Sequence, residues 1–137
     1  MDEPLNLVLF SGTDDRLNAA AVLAAGAVAL GRPVNVFLQY WALDAFRADR
    51  IDGDHGLAPE AGEAGRRAVD ALRAAGQASW ADTLRQVKDL GSIDIQACSL
   101  SMDLLGITEA DLDPVVDGVE GVTAFYLNAG QGRIVFI

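Results

Sequence analysis

The sequence predicts a single α/β domain built on a mainly parallel sheet. Its 137 residues are about one domain's worth, and 51% of them are hydrophobic, which is enough for a core and excludes wholesale disorder. Apolar runs of strand length alternate with helical stretches, as in βαβ units. The chain contains no internal repeat, low-complexity tract or interdomain linker, so residues 1–137 are interpreted as one domain.

The first 40 residues have the pattern strand, helix, strand. A βαβ unit of this length predicts two parallel strands joined by a right-handed crossover. The predicted bounds are a buried strand at 5–10, a break at Ser11-Gly12-Thr13, a helix at 16–30 with Asp14 and Asp15 at its N-terminus, and a strand at 34–40.

The segment at about 47–65 interrupts this alternation. It is rich in Asp, Gly and Ala and contains His55, which predicts a long mobile polar loop inserted in the domain. Residues 122–130 have the composition of a strand and the spacing of a helix, and the alternation of elements favours the helix. The other predicted elements are helices at 64–75 and 80–90, the second capped by Ser79, a strand at 93–97, a helix at 99–105 ended by Gly106, a capping box at 108–111, and a strand at 134–137.

Charge and composition narrow the classes of function. Twenty acidic and 10 basic residues give a net charge of −10, which argues against binding to nucleic acid or to an anionic membrane. One Cys and one His exclude a disulfide framework, a Cys-based zinc site and a multi-histidine metal centre, so neither a metal nor a cofactor is predicted. The apolar stretch 17–31 is too short to span a bilayer, and no secretory signal is evident. A soluble cytoplasmic protein is the expectation.

A candidate site lies where two predicted strands end. Ligands of parallel sheets bind beyond the carboxyl ends of the strands, where residues 10–15 and 97–102 fall. Cys98 is placed at a strand-to-helix junction, where helix N–H groups can stabilise a thiolate and Ser99 and Ser101 add hydroxyl groups. The alternative is a buried structural cysteine, the commoner role of a lone thiol.

Two other features suggest weaker hypotheses. The Ser11-Gly12-Thr13 loop could hold an anion at the helix N-terminus, but it matches no phosphate-binding motif, and Asp14 and Asp15 would repel phosphate. A turn with an N-cap is therefore favoured. His55 is interpreted either as a solvated loop residue or as part of a lid that folds over the thiol.

The sequence around the cysteine resembles the cysteine motif of the DsrE/DsrF-like family. Residues 97–107 read ACSLSMDLLGI, and in that family a strand delivers the Cys, followed by small polar residues, a Met, an acid, apolar residues and a Gly. The segment LVLFSGTDD at 7–15, the Ala-rich helix after it and residues 121–137 also resemble the family, in the same order. The insert at about 47–65 departs from that pattern.

The resemblance implies a three-layer α/β/α fold with a mainly parallel five-stranded sheet, and assembly into homotrimers or homohexamers. It also implies intracellular sulfur trafficking. Cys98 would carry a persulfide or thiosulfonate and pass it to a partner thiol on a TusA-like or rhodanese-like protein. The residues expected to border the substrate are Ser11, Gly12, Thr13, Ser99, Ser101 and Met102.

Two hypotheses of different classes follow, besides a third in which the chain is a scaffold subunit whose cysteine is incidental. In the first, the chain is a sulfur carrier or sulfurtransferase with Cys98 as its nucleophile, and whether the chain itself catalyses transfer stays open. In the second, it is a noncatalytic oligomeric module that binds a small anion or nucleotide, and Cys98 is structural.

Overall fold

Five parallel strands form one sheet, which confirms the predicted fold class. The structure is a computed structural model that describes residues 3–137. The strands are β1 (Leu5–Leu9), β2 (Val34–Leu38), β3 (Ile93–Cys98), β4 (Gly118–Glu120) and β5 (Ile134–Phe136). Their order across the sheet is β4-β3-β2-β1-β5, and every neighbouring pair is parallel.

Six α-helices flank this sheet in the described part of the chain. They are α1 (Asp14–Ala29), α2 (Tyr40–Ala45), α3 (Gly62–Ala74), α4 (Trp80–Leu90), α5 (Ser99–Leu105) and α6 (Val122–Ala129). The predicted cap of α4 is confirmed, because the Ser79 side chain accepts a hydrogen bond from the Asp82 N–H. Gly106 ends α5 in the left-handed conformation, and α6 confirms the helix assignment. Helix α2 was not predicted from the sequence; it begins where the second strand was expected to continue.

One face of the sheet, the thick face, carries the main core. Alternate side chains point to opposite faces of a strand, and those on this face are aliphatic, including Leu7, Leu9, Val36, Leu38 and Ile95. They form one buried cluster with residues of α1, α2, α4 and α5. The Ala-rich side of α1 allows this helix to lie close to the strands.

The opposite face, the thin face, is covered by α6. Here the buried apolar cluster is small and consists of Val8, Phe37, Cys98 and Phe125. Amide groups fix the end of α6, since Asn6 Nδ2 donates to the Ala129 carbonyl at 3.2 Å and Asn35 Nδ2 donates to the Asn128 carbonyl at 3.2 Å. A short helix held partly by hydrogen bonds therefore covers this face.

The polar insert is packed against the helices of the thick face, contrary to the expected mobile loop. The Asp14 carboxylate accepts the His55 N–H at 3.0 Å, and the Asp15 carboxylate accepts the Ala58 N–H at 3.1 Å. Ile51 and Ala58 are buried. Acidic side chains at the start of α1 thus fix the loop, which composition alone could not indicate.

Across residues 3–137, we find no helix that has both the length and the apolar character needed to traverse a bilayer.

Candidate functional site

Cys98 is the last residue of β3 and the N-cap of α5, as the sequence predicts. Its side chain lies on the thin face and is only 5% exposed. It packs with Val8, Phe37 and Phe125, and the rings of Phe37 and Phe125 stack at 4.9 Å. The side chain makes no capping hydrogen bond to α5, so the expected stabilisation of a thiolate by helix N–H groups is not seen here.

Glu120 is the nearest acidic group by register. Cys98 and Glu120 are partners across β3 and β4, so their side chains stand on the same face one strand spacing apart, about 4.8 Å. The Glu120 carboxylate accepts a hydrogen bond from Asn128 of α6 at 3.1 Å. Partial burial, with the nearby Asp94 charge, raises the pKa of Glu120 despite that hydrogen bond. A carboxyl with a raised pKa is a better proton acceptor than an ordinary one.

The sequence analysis did not identify Glu120 as a site residue. Its strand, GVE, has three residues and shows no strand periodicity. The available signal was its position, since Glu120 and Gly121 come directly before a helix that leads into the final strand. Only the register reveals that this position lies beside Cys98.

The two serines after Cys98 have different surroundings. Ser99 is half-buried and lies close to Gly121, where an added Cβ would be 3.8 Å from the serine hydroxyl. Ser101 is buried, and its hydroxyl accepts the Tyr40 N–H at 3.1 Å. Tyr40 has a φ of 43°, so this hydrogen bond holds a strained turn at the end of β2. Ser99 is therefore partly accessible next to Cys98, whereas Ser101 supports the backbone.

Met102, expected to border the substrate, lies in the main core of the thick face instead. Cys98 lies on the thin face, and the sheet separates the two side chains. The structure therefore does not bring Met102 to the thiol. Because residues 98 and 102 belong to different elements, a strand end and a helix, their closeness in sequence did not predict a shared face.

The Ser11-Gly12-Thr13 loop follows β1 and is separated from Cys98 by the end of β2. Its hydroxyls contact each other, with Ser11 Oγ and Thr13 Oγ1 3.2 Å apart. Gly12 is required by close packing, because a Cβ there would be 2.4 Å from the Trp41 carbonyl oxygen. The Asp14 N–H at the start of α1 donates to the Gly56 carbonyl, so this helix end is already occupied. The arrangement matches the turn that was favoured over an anion site, but the expected side-chain N-cap is not seen, because the N-cap residue of α1 is Thr13 and its side chain makes no capping hydrogen bond.

His55 does not cover the thiol. Its ring lies 5.7 Å from that of Trp80, which belongs to the core of the thick face. The hypothesis of a histidine lid over Cys98 is therefore wrong, since Cys98 faces the other side of the sheet.

The chain is similar in sequence to a family model and to a curated protein. The model of the DsrE/DsrF/DrsH-like family matches residues 1–61, a segment that includes the Ser11-Gly12-Thr13 loop but not Cys98. The Bacillus subtilis protein YrkE, described as uncharacterized, is 25% identical over 149 residues, covering 93% of this chain and 92% of YrkE.

Two solved structures share the fold. A Methanobacterium thermoautotrophicum protein of unknown function, MTH1491, superimposes with a TM-score of 0.61 at 13% identity, covering 99% of this chain and 100% of that one. The Escherichia coli protein ychN gives a TM-score of 0.58 at 13% identity, with 100% of both chains covered. The predicted resemblance to the DsrE/DsrF-like family is thus confirmed over residues 1–61, and the whole chain shares the fold of these two structures.

Proposed function

We propose that this chain is a sulfur carrier that holds a sulfane sulfur on Cys98 and passes it to a partner thiol. The observation that carries the proposal is the pairing of Cys98 with Glu120 at the carboxyl ends of neighbouring strands. This edge is where ligands of parallel sheets bind. Family resemblance supports a sulfur-relay fold, and the thiol with its neighbouring carboxyl supplies a nucleophile and a proton acceptor.

Sulfur transfer needs no oxidant in this scheme. Glu120 takes the proton of the Cys98 thiol, and the thiolate attacks the outer sulfur of a donor persulfide. The donor S–S bond breaks, its thiolate leaves, and Glu120 returns the proton to it. A partner thiol then gives its proton to Glu120, and its thiolate attacks the outer sulfur of the Cys98 persulfide. The Cys98 S–S bond breaks and Glu120 returns the proton to the Cys98 thiolate, so the chain acts as a carrier with no net change.

Access to the thiol depends on α6. Phe125 packs over Cys98, and the sulfur is almost fully buried. The half-buried Ser99 and Gly121, the N-cap residue of α6, lie close together next to Cys98 in the chain and at the start of this helix. Loading therefore requires the N-terminal part of α6 to move, and the remaining hydrogen bonds at its C-terminal end act as the hinge.

Assembly and partners are part of the same proposal. Large apolar side chains are exposed on α6 and on the edge strand β5, with Leu127 78% and Phe136 65% exposed. A homotrimer or homohexamer would cover such a surface. The acceptor would be a TusA-like or rhodanese-like protein. Sedimentation of the purified chain tests the assembly, and a monomer at micromolar concentration contradicts it.

Intact-protein mass spectrometry tests the carrier function. The chain is incubated with polysulfide, thiosulfate or tetrathionate, and the wild type is compared with Cys98→Ser. We expect a gain of one sulfur atom, or of a thiosulfonate group from tetrathionate, in the wild type alone. Cys98 that stays reduced with every donor would contradict the proposal.

The second candidate is the noncatalytic binding module with a structural cysteine, and the burial of Cys98 among three apolar residues favours it. Ligand-induced stabilisation distinguishes the two. A rise in melting temperature with phosphate or a nucleotide that persists in Cys98→Ala would support the module. The occupied N-terminus of α1 does not favour an anion at the Ser11-Gly12-Thr13 loop.

A further inference from the structure

Helix α3 stands over a cavity on the thick face. The cavity has a volume of about 420 Å³, within the range of small-molecule sites. α3 has 13 residues, and none of them is buried. Val69 and Leu72 point into the cavity, and Leu72 is 50% exposed. An amphipathic helix that buries no side chain leaves apolar surface for something else to cover.

The floor of the cavity is rigid and polar. The Asp14 carboxylate is buried and accepts hydrogen bonds from Trp80 Nε1 at 2.8 Å and from Arg73 Nη2 at 2.7 Å. It also accepts the His55 N–H. These contacts join α1, the insert, α3 and α4 around one carboxylate, so the cavity is held open by a hydrogen-bonded frame.

The charged side chains that line the cavity favour a cation over an anion. Four carboxylates and one guanidinium line the cavity. Arginines pair with Asp14, Asp52 and Asp54. Asp15 instead accepts backbone N–H groups. Partial burial works against its ionisation, but hydrogen bonds from Thr13 and from the Ala58 and Arg16 N–H groups outweigh it and lower the pKa of Asp15. It therefore stays ionised at neutral pH, and within residues 3–137 no lysine or arginine forms an ion pair with it, since the neighbouring Arg16 pairs with Glu60.

We propose that this cavity binds a small amphipathic cation, with its amine beside Asp15 and its apolar body between Trp80 of α4 and Leu72 of α3. The apolar wall made by Leu57, Val69, Leu72 and Trp80 supplies the binding energy, and the Asp15 carboxylate supplies the selectivity for positive charge. The site lies on the opposite face of the sheet from Cys98, so it is separate from the proposed sulfur chemistry.

Trp80 provides a direct readout of binding. The chain has two tryptophans, and Trp41 does not line the cavity, so Trp41→Phe leaves Trp80 as the only tryptophan, and excitation at the red edge of the tryptophan band avoids the two tyrosines. This variant is titrated with 4-phenylbutylamine, with 4-phenylbutyrate, which has the same body and the opposite charge, and with 4-phenylbutanol. We expect a saturable change in Trp80 emission with the amine, and weaker responses with the alcohol and the carboxylate.

Variants of the cavity identify the contacts. Asp15→Asn should weaken amine binding about ten-fold, because an ion pair becomes a neutral contact. Leu72→Gln should weaken all three probes, whereas the matched control Leu104→Gln, an exposed leucine on α5, should change none of them. Equal binding of amine and carboxylate, no saturable response at millimolar amine, or unchanged binding in Leu72→Gln would overturn the proposal. None of these results bears on the proposed sulfur loading of Cys98, which is tested separately.

Discussion

The two faces of the sheet are stabilised in different ways. The thick face buries aliphatic side chains against four helices. The thin face buries three residues of the strands under Phe125 of α6 and uses amide hydrogen bonds to fix that helix. Apolar packing gives the larger share of stability per side chain. Cys98 lies on the face with the smaller apolar cluster. The difference suggests that stability and reactivity are divided between the faces, since a light cover can open without loss of the core.

The largest expected effect compares one phenylalanine on each face. Phe46 is buried in the main core, where its ring lies 5.0 Å from that of Trp80, and Phe125 is buried on α6. Phe46→Ala should lower the free energy of unfolding by about 3–5 kcal/mol. Phe125→Ala should cost less, because α6 can settle towards the sheet. Urea denaturation measures both, and an equal or greater loss in Phe125→Ala would contradict the division between the faces.

Reactivity of the Cys98 thiol should increase when the ring that covers it on the thin face is removed. Phe125→Ala should accelerate alkylation of Cys98 by iodoacetamide under native conditions by about ten-fold, because the ring that covers the sulfur is gone. Tyr126→Ala is the matched control, since this neighbouring residue on α6 is exposed. An unchanged alkylation rate in Phe125→Ala would show that α6 does not limit access.

Ser101→Ala tests whether the Ser101 hydroxyl supports the backbone turn at Tyr40. Removal of the hydroxyl leaves the Tyr40 N–H without its acceptor and should lower stability by about 1–3 kcal/mol. Ser99→Ala, two residues earlier and half-buried, should leave stability nearly unchanged. Thermal unfolding compares the two variants. If Ser101→Ala is as stable as Ser99→Ala, the hydroxyl does not hold the strained turn.

The smallest expected effect is a pH dependence at Glu120. Its pKa in the folded chain is raised from 4.5, mainly by burial, so the stability it contributes is complete below that value and is lost as the pH rises through the folded pKa. Glu120→Gln cannot ionise, so at pH 7 its free energy of unfolding should exceed that of the wild type by about 0.5 kcal/mol or less, and its melting temperature should be slightly higher. The difference should vanish in acid. A lower melting temperature at pH 7 would contradict the raised pKa.

Sequence reasoning predicted the fold better than the site. Alternating apolar runs and helical stretches are local signals, and they located β1, β2, β3, α4 and α5 within a few residues. Which face a side chain occupies depends on register and on which helix covers that face. For that reason Glu120 was missed, and Met102 was expected beside a thiol from which the sheet separates it.

The insert at about 47–65 was also mispredicted, because its structure depends on long-range contacts. Its composition indicated mobility, but composition does not show that Asp14 and Asp15 are placed to accept its N–H groups. Nor did the pattern of α2 stand out, because the helix has six residues and starts at a tyrosine with positive φ. Long-range hydrogen bonds and strained turns are decided by the tertiary structure.

The most direct test of the central claim is the rate and extent of sulfur loading from polysulfide, followed by intact mass in wild type, Phe125→Ala and Cys98→Ser side by side. We predict that the wild type gains one sulfur atom, that Phe125→Ala gains the same mass faster, and that Cys98→Ser gains none. No gain in either cysteine-containing chain, or a gain that remains in Cys98→Ser, would contradict the account.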